Sequence, residues 1–362
     1  MSQRYSVWYG LLLSLAIAIA AYQLYTAPIV PFSIGDPARH PIDAMLIAIV
    51  IGMLIRNTVG VPPRFAAGIR YAVISIMPLG IVLMGARLDF YDVVRTSLTA
   101  LIISVICVGV ALTLTIWLCR RVGVGQKLGI LIGVGTAICG GTAIAVAAPV
   151  IEADDGDTAF GIATVTLFGM VAVFVLPVLG DLIGMSQLEF GVWAGTSVHA
   201  TPQVVATGFA YGPQAGDIAT IVKLVRVLLL APVVVGLAVW YARQKRKQQI
   251  AHVTKIGNFT TLFPPFILGF VTLALANTLH LLPDFTLHLK DSPLWEQQDL
   301  RVVLAKLVTA ISTFLLTVSM AGVGLGVDVR GLARVGLGAL YVGLGSAVLL
   351  AAFSFALLTA IL

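Results

Sequence analysis

The stretch 198–208, VHATPQVVATG, places four polar or helix-breaking residues inside a long apolar part of the chain: His199, Thr201, Pro202 and Gln203. Thr201 and Pro202 predict a helix start, because threonine is a good N-cap and proline fits the first helical position. The residue before a proline is also pushed out of helical geometry. We therefore expect one helix to end just before His199 and another to begin at Pro202.

A second break is predicted 60 residues earlier, where 135–144, GTAICGGTAI, aligns with 195–204, GTSVHATPQV. Here Gly140 and Gly141 interrupt the helix, since glycine adopts backbone conformations that other residues resist. A further internal match, at an offset of 239 residues, aligns Gly85 and the residues after it with Gly324 and the residues after it. The two matches predict that the chain contains repeats, which in transporters are commonly inverted. The repeat-related segments are 126–180 with 186–240, and 83–118 with 322–357.

The composition indicates whether the protein folds in water or in a membrane. Of the 362 residues, 59% are hydrophobic and 10% charged, whereas soluble proteins carry about 25% charged residues. Lipid admits only helices or closed barrels, and the apolar runs are continuous rather than alternating. We expect an all-α polytopic membrane protein, one domain over 1–362 with about 10–11 membrane segments, two of them discontinuous or re-entrant near 133–148 and 195–208. Whether 127–150 and 188–208 cross fully or re-enter stays open.

Positive residues predict the orientation, because cytoplasmic loops of membrane proteins carry an excess of lysine and arginine. Placing the basic loops inside gives a cytoplasmic N-terminus. The net charge of +6 lies mostly in these short loops, so it does not indicate a nucleic-acid partner. Three cysteines without metal-ligand spacing predict neither a metal site nor a cofactor. The basic residues that set the orientation are Arg56, Arg64, Arg70, Arg120, Arg121, Lys127, Arg243, Lys245, Arg246, Lys247, Lys255, Arg330 and Arg334.

The two breaks predict an anion site. Each break frees backbone N–H groups at the N-terminus of a half-helix, and these groups together with the helix dipole attract anions. Lys223 and Arg226 stand three residues apart, hence on one helix face. A charged residue within the membrane is costly to insert and therefore usually has a function. No apolar segment has a central carboxylate. The alternative for the breaks is a proline kink and a glycine face that only pack against other helices.

His199 leaves two interpretations open. It is a hydrogen-bonded packing residue, or it titrates in a proton- or cation-coupled carrier of an organic solute, since the pKa of histidine lies near physiological pH. An intramembrane enzyme or a receptor is the competing class. No H-E-x-x-H or G-x-S-x-G motif occurs in the chain, and we expect no enzyme.

Four stretches resemble the YeiH-like family of uncharacterised bacterial inner-membrane proteins, for which sulfate export is the suggested activity. The resemblance implies a transporter-like protein with about ten or eleven spans in a bacterial inner membrane. An acidic residue often follows the histidine of the second motif in that family, and Ala200 takes its place here. The stretches are GVGTAICGGTAIAVAAPVI (133–151), AGTSVHATPQVVATG (194–208), IVKLVRVLLLAP (221–232) and SMAGVGLGVDVRGL (319–332).

The sequence thus predicts a carrier that moves a small anion, sulfate or a sulfonate, by alternating access. Its partners are that anion and membrane lipids, and a homo-oligomer is left open. The predicted substrate-binding residues are Thr136, Cys139, Gly140, Gly141, Thr142, Ser197, His199, Thr201, Pro202, Gln203, Lys223 and Arg226.

Overall fold

The structure, a computed structural model, describes residues 2–27, 43–88, 90–247, 265–288, 299–328 and 337–361. Lys255, Arg330 and Arg334, which the sequence placed in cytoplasmic loops, lie outside the described residues. The described helices are α1 (Ser2–Thr26), α2 (Ala44–Thr58), α3 (Ala66–Tyr71), α4 (Met77–Met84), α5 (Phe90–Val122), α6 (Gln126–Ala137), α7 (Gly141–Val150), α8 (Asp155–Ile183), α9 (Gln187–Ser197), α10 (Thr201–Tyr211), α11 (Pro213–Leu228), α12 (Leu230–Lys247), α13 (Pro265–Thr278), α14 (Leu304–Gly326) and α15 (Leu337–Ile361).

Seven continuous helical stretches in the described part of the chain are long and apolar enough to cross a membrane. Three shorter apolar helices, α2, α7 and α13, accompany them. The prediction of an all-α polytopic protein is confirmed. The described residues also contain a short antiparallel pair of strands, β1 (Asp284–His288) and β2 (Asp299–Val303), in a stretch for which the sequence predicted no element.

The described chain divides into two compact units. The first unit comprises Met1–His40, Ile47–Arg95 and Pro264–Val327. Within it, side chains tie distant segments to helix carbonyls: Ser312 Oγ donates to Gly80 O at 2.7 Å, and Asn57 Nδ2 donates to Val327 O at 2.9 Å. These bonds satisfy backbone groups for which lipid offers no partner.

The second unit comprises Pro41–Leu46, Thr96–Phe263 and Asp328–Leu362, and it contains both predicted breaks. Side-chain caps stabilise the N-terminal ends of two of its helices, α8 and α9. Ser186 and Glu189 form a reciprocal capping box at the start of α9, and the Asp154 side chain accepts the Asp157 N–H at the start of α8. Such caps satisfy helix N–H groups that have no partner within the helix. The prediction of a single domain over the whole chain stays a prediction.

Helix α9 packs closely on α11 because glycine faces the contact. A Cβ added to Gly195 would lie 2.7 Å from Val222 Cβ, closer than real side chains approach. Small residues allow membrane helices to come this near. The approach matters for the site, since Lys223 and Arg226 follow Val222 on α11 and are therefore brought to the end of α9.

The offset of 60 reappears in the helix bounds at the two breaks, and the outer bounds differ by 61. Helices α6 and α7 run from Gln126 to Val150, and α9 and α10 run from Gln187 to Tyr211, with breaks at 138–140 and 198–200. Each pair is therefore a discontinuous helix near the predicted place. Whether the pairs are repeats, and whether they cross or re-enter, stay predictions.

Candidate functional site

The first break owes its shape to Gly140. Helix α6 ends at Ala137, and Gly140 adopts φ 72° and ψ −131° before α7 begins at Gly141. A residue with a side chain rarely adopts that backbone geometry. The prediction that the Gly-Gly pair interrupts the helix is therefore confirmed, and Gly140 is the position whose backbone conformation requires glycine.

The second break is closed by Gln203 rather than by threonine. Gln203 Oε1 accepts the Ala200 N–H at 3.1 Å, and its Nε2 donates to Thr166 O on α8 at 3.0 Å. The prediction that Thr201 is the N-cap is wrong. Ala200 holds that position, and Thr201 is the first residue of α10, with Pro202 next to it. The Gln203 side chain reaches back from the third residue of α10 to the N–H of its N-cap, Ala200.

The two breaks meet. A Cβ on Gly140 would lie 3.3 Å from Ala200 Cβ, so the discontinuous helices touch where both backbones are irregular. Irregular backbone at membrane depth is tolerated where it is buried in protein or lines a cavity. Both breaks lie in the second unit, and they bring the ends of four half-helices into one region.

Lys223 lies at this meeting point with no exposed surface. Its Nζ donates to Ile138 O at 2.5 Å, to Val198 O at 3.0 Å and to His199 O. One acceptor belongs to the first break and two belong to the second. An ammonium group has three donors, so all of them are used.

Arg226 is equally buried, and its guanidinium binds the carbonyls at the ends of two helices. Its Nε and Nη2 donate to Ala137 O, and Nη2 also donates to Thr136 O, at 2.7–3.0 Å. Its Nη1 donates to Gly195 O at 2.9 Å, to Thr196 O at 2.6 Å and to Val198 O at 3.3 Å. The guanidinium therefore joins the C-terminal end of α6 to that of α9.

This arrangement has a simple electrostatic reason. The last carbonyls of a helix have no partner within it and carry the negative end of the helix dipole. Two such ends converge here, and Lys223 and Arg226 supply the matching positive charge. The buried polar and charged residues in the described part of the chain include no aspartate or glutamate. Among the described residues, the hydrogen-bond acceptors of both cations are all backbone carbonyls.

The predicted binding residues differ in what they offer a ligand. Gly141 is half-buried and Thr142 exposed at the N-terminus of α7, and Pro202 is half-buried at that of α10. Cys139 is buried. Three buried side-chain atoms of the set lack a hydrogen-bond partner among the described residues: Thr136 Oγ1, Ser197 Oγ and His199 Nδ1. Gln203, Lys223 and Arg226 are engaged with the backbone in this structure. Their assignment to substrate binding stays a prediction.

A cavity of about 310 Å³ adjoins the second break and was not foreseen from the sequence. It lies between α8, α9 and α15, and Ser197 and His199 line it together with mostly apolar side chains. Helix α15 is fixed there by Thr196 Oγ1 and Ser354 Oγ, 2.5 Å apart, and by Trp193 Nε1, which donates to Ala351 O at 2.8 Å.

These features define the class: a multi-pass membrane protein with two discontinuous helices whose breaks meet around a buried pair of cations. The family follows from comparison with known proteins. Residues 9–343 match the family described as Conserved hypothetical protein 698. A UPF0324 membrane protein of Bradyrhizobium diazoefficiens is 36% identical over 328 residues, 90% of this chain and 85% of the relative.

Two further relatives carry the same name. A UPF0324 membrane protein of Nitratidesulfovibrio vulgaris is 35% identical over 272 residues, 74% of each chain. One of Bacillus anthracis is 29% identical over 359 residues, 99% of this chain and 96% of the relative. The chain belongs to the UPF0324 family, which confirms the resemblance to the YeiH-like proteins. Neither the family description nor these names indicate an enzyme class.

Proposed function

We propose that this protein is a carrier of a small anion that works by alternating access. The observation that supports the proposal best is the buried pair Lys223 and Arg226 at the meeting point of two discontinuous helices, with no buried carboxylate among the described residues. Carriers commonly bind their substrates at such broken helices. Positive charge compensated only by dipoles favours an anion nearby.

The same pair argues against a cation as substrate or coupling ion. In carriers that use Na⁺, unwound carbonyls and the C-terminal ends of half-helices coordinate that ion. Here Lys223 and Arg226 donate hydrogen bonds to seven carbonyls at the corresponding helix ends, those of Thr136, Ala137, Ile138, Gly195, Thr196, Val198 and His199. The two side chains take the place of a bound metal cation at these carbonyls.

The anion would bind at the accessible surface of the breaks. The N-terminus of α7 offers backbone N–H groups and the hydroxyl of Thr142, which is exposed. The second break offers Ser197 Oγ and His199 Nδ1, which have no hydrogen-bond partner in the described structure. Lys223 and Arg226 would attract the anion by their charge and would not contact it directly, because their N–H donors are already bonded to backbone carbonyls.

The second candidate is a proton- or cation-coupled carrier of an organic solute. Its support is the buried imidazole of His199, which has one ring nitrogen without a partner among the described residues. A proton relay needs such a group. Transport that keeps the same rate from pH 5.5 to pH 8 would count against this role.

Sulfate or a sulfonate remains the substrate class we propose from the family resemblance. We also propose that the protein lies in a bacterial inner membrane, with its N-terminus on the cytoplasmic side. The relatives, named only as membrane proteins, are compatible with both.

A ligand-stabilisation screen of the purified protein tests the proposal. Potassium salts of sulfate, sulfite, methanesulfonate and acetate are compared with chlorides of Li⁺, Na⁺ and K⁺ at matched ionic strength. A ligand at 100 times its Kd stabilises the folded state by about 2.7 kcal/mol, so we expect at least one anion to raise the melting temperature. Stabilisation by Na⁺ or Li⁺ and by none of the anions would contradict the proposal.

A further inference from the structure

The cavity between α8, α9 and α15 has the properties of a small-molecule site. Its volume of about 310 Å³ is at the lower end of the range for ligand pockets, which are mostly apolar with a few placed polar groups. One wall is formed by residues 168–183 of α8 and the opposite wall by residues 344–355 of α15. Phe168, Leu176, Leu344 and Val348 give both walls an apolar surface.

The polar groups of the cavity lie together on the third wall. Ser197 and His199 both line it, and Ser197 Oγ and His199 Nδ1 have no hydrogen-bond partner in the described part of the chain. Both residues are buried, at 3% and 1% exposure. Trp193, the other polar side chain on this wall, already donates its N–H to Ala351 O. Buried polar atoms in folded proteins are normally paired, so these two atoms lack a partner that a ligand can provide.

The charge beside these atoms selects the sign of the ligand. Lys223 bonds the carbonyl oxygens of Val198 and His199, and Arg226 bonds those of Thr196 and Val198. Two cations therefore hold the backbone from which Ser197 and His199 project. A serine hydroxyl and an imidazole N–H can both donate hydrogen bonds. An anionic group fits this wall better than a cationic one.

We infer that the substrate is an organic anion with an apolar substituent rather than a bare inorganic anion. Its anionic group contacts Ser197 Oγ and His199 Nδ1, and its apolar substituent occupies the cavity between α8 and α15. This inference rests on the proposed function and names its substrate class. An inorganic anion such as sulfate would leave the apolar walls unused.

A chain-length series tests the inference. Potassium sulfate and the potassium salts of methane-, propane- and hexanesulfonate are titrated into the full-length purified protein, with melting temperature as the readout. Each methylene that leaves water for an apolar site strengthens binding by about twofold to fourfold. We expect hexanesulfonate to bind at least 30-fold more tightly than methanesulfonate.

Two substitutions assign the gain to the cavity. Ala347 lines the cavity and Ala356, on the same helix, does not. Ala347→Phe should abolish most of the gain with chain length, whereas Ala356→Phe should preserve the gain. Val348→Trp, at an exposed lining position, fills the cavity mouth and serves as the second variant if Ala347→Phe does not fold.

The outcomes separate this inference from the proposed function. If sulfate binds and hexanesulfonate binds no more tightly than methanesulfonate, the inference is wrong and the anion carrier stands. If no anion binds, the proposed function fails, and the inference with it. A gain with chain length that persists in both filling variants would also overturn the inference. So would phospholipid that co-purifies with the unaltered protein and is lost from Ala347→Phe, since a lipid chain would then be the occupant.

Discussion

Gly140 and Ala200 touch where the two discontinuous helices meet, and a Cβ on Gly140 would lie 3.3 Å from Ala200 Cβ. The contact joins the only left-handed backbone position of the first break to the N-cap of the second. It therefore couples the geometry of one break to that of the other. Any change that moves one backbone moves the surface on which we place the anion.

Gly140→Ala should destabilise the protein and impair anion binding. The glycine has a φ of 72°, and a strained backbone position of this kind costs about 1–3 kcal/mol for a residue with a side chain. The added methyl group would also press on Ala200. Thermal unfolding of the purified protein measures the loss. Gly236→Ala is the control, because a Cβ there meets no atom within 4 Å; equal melting temperatures for both variants would refute the argument.

Lys223→Met should destabilise the protein strongly. The substitution leaves the carbonyls of Ile138 and His199 without the donor that Lys223 provides, whereas Val198 O keeps its bond from Arg226. Each buried polar group left unpaired costs about 1–3 kcal/mol, so the free energy of unfolding should fall by about 2 kcal/mol or more. Arg243→Met removes a cation from an exposed position on α12 and should change stability little. A fully stable Lys223→Met protein would contradict the assigned role.

Arg226→Lys should fail to replace the arginine although it keeps the charge. The guanidinium reaches five carbonyl oxygens on two helix ends, while lysine has three donors on one nitrogen. We expect a lower melting temperature and weaker anion binding than in the unaltered protein. Unchanged values for both would show that charge alone is needed and that the joining of α6 to α9 is not.

Gln203→Leu should destabilise the second break without changing its charge. The side chain links the Ala200 N–H to Thr166 O, and its loss leaves the half-buried Ala200 N–H without this partner, at a cost of about 1–3 kcal/mol. Gln214→Leu, at an exposed position of α11, is the matched control. The measurement is thermal unfolding with and without the best-binding anion; a loss no larger than that of the control would remove Gln203 from the account.

The sequence predicted the breaks because their signals are local. Gly-Gly and Thr-Pro restrict the backbone of their own residues, and the two half-helix pairs follow at the expected places. The N-cap was misassigned because the prediction relied on the hydroxyl of Thr201 and left out Gln203. The Gln203 amide accepts the Ala200 N–H from the third position of the helix, as the Gln of a capping box does, and so makes Ala200 the N-cap.

The partners of the buried cations and the cavity could not be predicted from the sequence. Lys223 and Arg226 were recognised as intramembrane charges, but their acceptors lie 24 to 90 residues away. Which helix ends converge on them depends on how α6, α9 and α11 pack. The cavity depends likewise on the contact of α8 and α9 with α15. Its walls on α8 and α15 are apolar, and their residues occur in runs that resemble any membrane helix.

The central claim, an anion carrier with resident cations in place of a coupling cation, is tested most directly by electrical recording from proteoliposomes adsorbed on a solid support. Rapid jumps in anion concentration are made at constant K⁺, with sulfate and the sulfonates as probes, and jumps in Na⁺ or Li⁺ are made at constant anion. The account predicts inward movement of negative charge on an anion jump, and the same current whether Na⁺, K⁺ or N-methylglucamine is the cation. Currents that follow Na⁺ or Li⁺ jumps and are absent for every anion would contradict it.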